Sequence, residues 1–174
     1  EVCLFHLGAM DWLPNRQAIE WFFENCWLDI KSNFPDLKLY LAGRAFPQEI
    51  KIDDDNIIYD DEVKSAVDYM QGKAIMIVPL LSGSGMRVKI LQAFALGKAV
   101  VSTSIGAEGI ECTDGENILI ADSPKDFVAA MSKLITDDSL RKKIGRNSHN
   151  LFLKKYSSEK IAAEVISFYN ALIK

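Results

Sequence analysis

An α/β fold with a mostly parallel sheet is the architecture this sequence predicts, on three observations. Short apolar runs of strand length alternate with helix-patterned stretches as far as Ile120. The segments between runs suit crossover helices, which parallel neighbours require, so the sheet should be covered on both faces. The ends of the runs, at Gly8, Gly43, Tyr59, Pro79 and Thr103, carry the residues best suited to contact a ligand. In open parallel sheets ligands bind beyond the carboxyl ends of the strands.

Val2 to Leu7 is apolar and aromatic and reads as the first strand, closed by Gly8. Pro14 to Phe34 carries Ile19, Phe22, Phe23, Cys26 and Ile30 at helical spacing. Leu37 to Ala42 is a second strand ending in Gly43, Asn56 to Tyr59 a weaker third, and Glu62 to Gln71 a short helix. The fourth strand, Ala74 to Val78, leads through a glycine-containing loop into a helix, Val88 to Leu96, closed by Gly97. Ala99 to Thr103 and Asn117 to Ile120 complete the strands. Beyond them the chain reads as helical: Ser123-Pro124 opens a helix through Ile135, Asp137 to Lys155 forms one or two more, and Ser157 to Lys174 forms the last. Ile161, Val165, Phe168, Tyr169 and Leu172 give that last helix an apolar face, to pack on the sheet or to brace a neighbour outside this chain. The whole is Rossmann-like, a three-layer α/β/α arrangement.

The 174 residues are expected to form one domain, spanning 1–174, with 49% hydrophobic and 25% charged residues. No apolar run approaches the roughly 20 residues that cross a bilayer. A net charge of −4 argues against a dedicated nucleic-acid partner. Cys3, Cys26 and Cys112 show no C-x-x-C spacing and are expected to be small packing residues in a reducing, cytoplasmic setting. His6 and His149 lack ligand-type neighbours in sequence and suggest structural or surface roles, with no metal implied. The chain opens at Glu1 on a strand-like segment, which suggests a piece of something longer.

The chemistry concentrates in Pro79-Leu80-Leu81-Ser82-Gly83-Ser84-Gly85-Met86-Arg87-Val88-Lys89. Two glycines permit close backbone approach, the N–H groups opening the next helix have no intrahelical partners, and Arg87 and Lys89 add positive charge. This combination suits a phosphate or diphosphate. Neither a P-loop nor a dinucleotide fingerprint is present, and an ordinary strand-to-helix turn is the alternative. Gln92 lies three residues beyond Lys89 on the same helical face, either toward a ligand or simply toward solvent. Glu108, in the loop Gly106-Ala107-Glu108-Gly109, could accept hydrogen bonds from a substrate hydroxyl or from nearby amides. The first loop, Gly8 to Asn15, is a turn whose Gly8 would face the same crevice.

Read together, Gly8-x-Met10-Asp11-Trp12-x-Pro14-Asn15, Leu41-Ala42-Gly43, Pro79-Leu80-x-x-Gly83-Ser84-Gly85-Met86-Arg87-x-Lys89-Ile90-Leu91, Ala95-x-Gly97-Lys98-x-Val100-Val101-Ser102-Thr103 and Glu108-Gly109 resemble a known family over nearly the whole chain. It is similar to the carboxy-terminal, donor-binding half of a GT-B glycosyltransferase of the family 4 type. The resemblance implies a retaining, metal-independent enzyme of polysaccharide biosynthesis that needs no cofactor and takes a UDP- or GDP-linked sugar as substrate. It also implies an acceptor-binding amino-terminal domain outside this chain, a saccharide or lipid-linked acceptor, and a parent that can associate peripherally with the inner face of a membrane.

Carried onto this sequence, the resemblance makes Arg87 and Lys89 the catalytic charge partners of the diphosphate. Ser82, Gly83, Ser84, Gly85, Met86 and Val88 would surround the donor, and Gly8 would leave room for it. Gly43 and Arg44 would lie near the nucleobase, with Tyr59 bordering it, and Glu108 would be a further donor-binding residue. The family's E-x7-E pattern places its second glutamate, a ribose ligand, at Gln92 and its first at Ser84, so both carboxylates are absent here. The basic residue usual in the first loop is also replaced, by Pro14 and Asn15. The rival readings are a degenerate, non-catalytic binding module and a nucleotide-sugar epimerase of the same two-domain fold.

Overall fold

A computed structural model of the chain describes residues 2–172. The sheet has six strands, all parallel, in the order β3-β2-β1-β4-β5-β6. They are β1 (Cys3–Leu7), β2 (Lys38–Ala42), β3 (Ile57–Asp60), β4 (Ile75–Val78), β5 (Ala99–Ser102) and β6 (Leu119–Ile120). The order reverses between β1 and β4, so the crevice beyond their carboxyl ends is the switch point at which such sheets bind ligands.

Side-chain alternation divides the core into two layers. Leu4, Leu39, Leu41, Ile75, Ile77 and Val101 face one side, against Ile19, Phe22, Ile30, Phe127 and Leu134 from the helices α1 (Leu13–Phe22), α2 (Leu28–Asn33) and α5 (Pro124–Thr136). Phe5, Met76, Val78 and Val100 face the other, against Met70, Ile90 and Phe94 from α3 (Ala66–Gln71) and α4 (Val88–Ala95). Every residue of β4 and β5 is buried, as expected for central strands covered on both faces.

The expected elements all appear, with their boundaries adjusted. The stretch expected as one helix, Pro14 to Phe34, is α1 and α2 joined by a π-helical segment, Phe23–Trp27. The wider turn shifts the helical phase, so that the adjacent Cys26 and Trp27 both reach the core. The helix expected from Glu62 begins only at Ala66, where Ser65 caps it by accepting the Asp68 amide. Asp137 to Lys155 is one helix, α6 (Asp138–Lys155), capped by Asp137. Its Gly145 packs on Gly97 beyond α4, where a Cβ would stand 2.2 Å from the Gly97 carbonyl oxygen.

The last helix, α7 (Ser158–Leu172), buries none of its residues. Ile161, Val165, Ile166, Phe168, Tyr169 and Leu172 are all exposed on it. Of the two expectations for this segment, packing on the sheet is therefore ruled out for the described part. Residues 173 and 174, to which the helix was expected to run, lie outside the described residues. No described helix is long and apolar enough to cross a membrane.

Candidate functional site

Three loops meet at the carboxyl ends of β1 and β4. The first, from Gly8 to Trp12, is tied to the end of β2 by backbone bonds from Gly8 N–H to the Ala42 carbonyl and from Met10 N–H to the Arg44 carbonyl, both 2.9 Å. The second, Ser82 to Arg87, connects β4 to α4. The third, Ser104 to Gly109, follows β5, and its Gly109 approaches Met86 of the second. Thr103 Oγ1 donates to the Leu80 carbonyl at 2.5 Å and holds the second and third loops together.

Arg87 is the pivot of the second loop. It stands at the N-cap of α4, which opens without a side-chain cap, so the Val88 and Lys89 N–H groups have no backbone or side-chain partner among the described residues, while the Ile90 N–H bonds to the Arg87 carbonyl. Although an arginine, it is only 7% exposed. One nitrogen, Nη1, donates to the Ser84 carbonyl at 2.6 Å, and the guanidinium lies 5.2 Å from the ring centre of Trp12. Its Nε and Nη2 are buried with no hydrogen-bond partner among the described residues. Gly83 permits this arrangement: its φ is +105°, and a Cβ there would lie 2.8 Å from Nη2.

Lys89, the second residue of α4, carries its amine back into the crevice. Nζ donates to Asn15 Oδ1 at 2.8 Å and lies 3.4 Å from His6 Nε2. Burial, then the neighbouring Arg87, pushes the lysine down to about 7. His6 is fully buried, and its Nδ1 lies 2.9 Å from the Ile77 carbonyl. Because a carbonyl only accepts, Nδ1 carries the proton and Nε2 is left as an acceptor facing Lys89. Burial and then Lys89 hold His6 well below its ordinary value, so it is neutral.

Neither Arg87 nor Lys89 has a carboxylate within ion-pairing distance among the described residues; Asp11, in the first loop, accepts instead from Arg44 at 3.0 Å. A buried arginine and a half-buried lysine beside an uncapped helix start are costly to keep charged unless an anion joins them. Arranged this way, they can bind a phosphate or diphosphate and stabilise negative charge on it.

The other expected site residues divide into those the structure brings to this crevice and those it does not. Gly83, Ser84, Gly85 and Met86 form its exposed wall, and Ser82 Oγ donates to Gln17 Oε1 at 3.3 Å. Gly85 has φ +83° and open space where a Cβ would be. Val88 is 64% exposed on the first turn of α4, and Glu108 is exposed without a side-chain partner among the described residues. Gln92 is half-buried, and its amide makes no hydrogen bond among the described residues. A hollow of about 230 Å³ adjoins the crevice, lined by Leu7, Gly8, Gly43, Arg44, Glu62 and Val63.

Two geometric expectations are corrected. The space that Gly8 was expected to leave for a ligand is taken by the Asn15 amide, only 2.6 Å from where a Gly8 Cβ would be. Gly8 therefore serves the placement of Asn15. Tyr59 packs edge-on against Phe46, 5.1 Å between ring centres, and its hydroxyl accepts the Ile52 amide at 2.9 Å. Tyr59 therefore does not line the hollow beside Gly43 and Arg44, where it was expected to border the base. A larger hollow, about 560 Å³, lies between the end of α4 and α6 around Gly97, Lys142, Gly145, Arg146 and His149. It is at the opposite pole of the sheet, so size does not mark the site.

Residues 1–137 match the family model described as glycosyl transferases group 1. The chain belongs to that family. It is 30% identical over 167 residues to an uncharacterized 44.6 kDa protein in the cps region of Klebsiella pneumoniae, covering 88% of this chain and 42% of that one. It thus spans less than half the length of curated relatives it matches. Among solved structures, S. aureus TarM, determined with UDP among its ligands, superposes with a TM-score of 0.80 at 15% identity, covering 98% of this chain and 36% of TarM. The C-terminal domain of the group 1 glycosyl transferase LpcC from Francisella tularensis superposes with a TM-score of 0.69 at 22% identity, covering 90% of this chain and 86% of that one. The fold is therefore the expected Rossmann-like half of a GT-B glycosyltransferase.

His6 is a residue at this crevice that sequence reasoning missed, and Trp12 and Asn15, quoted only as part of the first-loop motif, were given no contact with the basic pair. The available signal was positional: His6 is the polar residue of an apolar strand, next to its carboxyl end. Its role depends on Lys89, which is 83 residues away in sequence.

Proposed function

We propose that this chain is the donor-binding domain of a retaining, metal-independent glycosyltransferase of the family 4 type, acting in polysaccharide biosynthesis on the cytoplasmic side. The observation that carries this reading is the pair of a buried Arg87 and a half-buried Lys89, without a carboxylate partner among the described residues, at the switch point of the sheet. The ligand that answers such a pair is the diphosphate of a UDP- or GDP-linked sugar, and the family membership and the UDP of TarM support that choice. Arg87 Nε and Nη2 and the opening amides of α4 would bind the diphosphate oxygens, and Lys89 would add charge beside them. As the bond between the sugar's anomeric carbon and the diphosphate breaks, these groups stabilise the negative charge left on the diphosphate. The acceptor hydroxyl oxygen bonds to the anomeric carbon, and its proton is released.

The neighbouring hollow at Gly8, Gly43 and Arg44 is open to the nucleoside, and Glu108 and the Gly83–Gly85 wall to the sugar. In this reading a saccharide or lipid-linked acceptor is held by an amino-terminal domain of the same parent, which can associate with the membrane surface. The length shared with relatives and the uncovered apolar face of α7 support a further domain. One feature favours a degenerate, non-catalytic module instead: the neutral Gln92 where the family carries its ribose-binding glutamate. Calorimetric titration with UDP, GDP and ADP, repeated with Arg87→Ala and Lys89→Ala, tests the site. Binding of one nucleotide that weakens in both variants is expected, and indifference of both variants would sink the assignment.

A further inference from the structure

Lys89 is held differently from an ordinary phosphate-binding lysine. From the start of α1 it faces the Asn15 carboxamide, from β1 the His6 ring, and from the β4–α4 loop the Arg87 guanidinium; β4 contributes the Ile77 carbonyl, which fixes the ring. Two of these partners are neutral acceptors and the third is a cation. Among the described residues no carboxylate is paired with the amine. The side chain is thus placed by hydrogen bonds that both –NH₂ and –NH₃⁺ can donate, in surroundings that do not select the charged form.

We propose that His6 is a positioning residue for the anion site, accepting from the Lys89 amine and aiming it into the crevice, where, beside Arg87 and with no paired carboxylate among the described residues, the amine rests partly uncharged and takes up a proton from solvent when a phosphate group enters. This rests on the reading of the crevice as a phosphate-binding site and adds how that site is charged. The proton balance is simple: the amine lone pair accepts one proton, –NH₂ becomes –NH₃⁺, and the new charge offsets one negative charge of the ligand. The position of Lys89 at about 7 agrees with this. His6 does not compete for the proton, because burial and Lys89 itself keep the ring neutral. A neutral acceptor at Nε2 stabilises the ammonium once formed without neutralising it, so the charge is directed to the ligand.

The fold of a homologous domain on its own, seen in the LpcC C-terminal domain, makes this chain a suitable sample. The Lys89 side-chain carbon signal, assigned by its loss in Lys89→Arg, is followed by NMR against pH, free and saturated with UDP, GDP or inorganic phosphate. A midpoint near 7 is expected in the free chain, rising by at least about two units with ligand. Titration calorimetry at pH 8 in buffers of different ionisation enthalpy should then show uptake of about 0.9 proton per ligand, the fraction of an amine centred near 7 that is uncharged at that pH. Phosphate ester groups, with a second ionisation near 6, contribute little there. Lys89→Arg should abolish the uptake.

His6→Phe should move the free midpoint down and weaken phosphate binding, whereas His6→Gln, which keeps an acceptor, should restore both toward the parent. A free midpoint near the ordinary lysine value, or one that no anion shifts, overturns the proposal. A midpoint unchanged in His6→Phe overturns the role of His6. Phosphate shifting the midpoint while neither UDP nor GDP binds would uphold it and refute the nucleotide-sugar reading instead.

Discussion

Arg87→Met isolates the contribution of the guanidinium. Methionine keeps an apolar stem against Trp12 and removes the charge, the bond to the Ser84 carbonyl, and the two nitrogens, Nε and Nη2, that have no partner. If each free N–H makes one charge-assisted bond to a diphosphate oxygen, the loss is about 3 kcal/mol in binding, or roughly 150-fold in Kd. The effect on folding runs the other way. An unneutralised buried cation is removed and one hydrogen bond lost, so the ligand-free melting temperature should stay within about 4 °C of the parent, the shift of roughly 1 kcal/mol in a domain of this size. Calorimetric titration with a nucleoside diphosphate and scanning calorimetry of the free chain read the two effects separately. Binding within about threefold of the parent, roughly 0.7 kcal/mol, would show that Arg87 does not meet the anion. Undiminished binding with a large fall in melting temperature would make it a structural residue of the loop.

Gln92→Glu restores a charge-assisted bond to ribose hydroxyls and should tighten nucleotide binding by about threefold to tenfold, with no change for inorganic phosphate. Equal effects on both ligands would contradict a ribose contact. Gly43→Ala places a Cβ 1.9 Å from the Gly8 carbonyl oxygen, a backbone clash, and should cost more than about 3 kcal/mol in denaturant unfolding. Gly85→Ala, with φ +83° but open space, should cost only about 1–2 kcal/mol. Because folding lowers Lys89 to about 7, the unfolded chain holds a proton that the folded chain lacks above that pH. The ligand-free chain should therefore gain stability from about pH 7 toward pH 9, a rise that Lys89→Met removes. Val165→Asp with Phe168→Asp should shift the melting temperature of this chain by less than about 2 °C, since α7 buries nothing here. A larger loss would show that its apolar face is already covered within the chain.

Much of this was legible in the sequence because it is local. Alternating runs such as Ile75–Val78 and Ala99–Ser102 can only be buried strands, and the glycines between Ser82 and Met86 announce a loop with left-handed backbone. Arg87 and Lys89 were identifiable from their position beside that loop. The burial of Arg87 and the missing counter-charge of both were not, because they depend on what the first loop brings across from β1. Gly8 shows the limit well: a glycine at a strand end suggests space for a ligand, yet the space is filled by Asn15, which in turn holds Lys89. Tyr59 shows the converse, since a residue at a strand end need not face the crevice: its ring packs on Phe46 and its hydroxyl on the Ile52 amide.

The sequence by itself thus determined the fold class, the succession of strands and helices, the glycine-containing loop before α4 and the family, because periodicity and short motifs depend on neighbours a few residues apart. Only the tertiary structure decided that α7 is uncovered and that His6, Asn15, Arg87 and Lys89 form one electrostatic unit. Charge state and burial are set by contacts across the sheet, between residues far apart along the chain, and no local pattern records them.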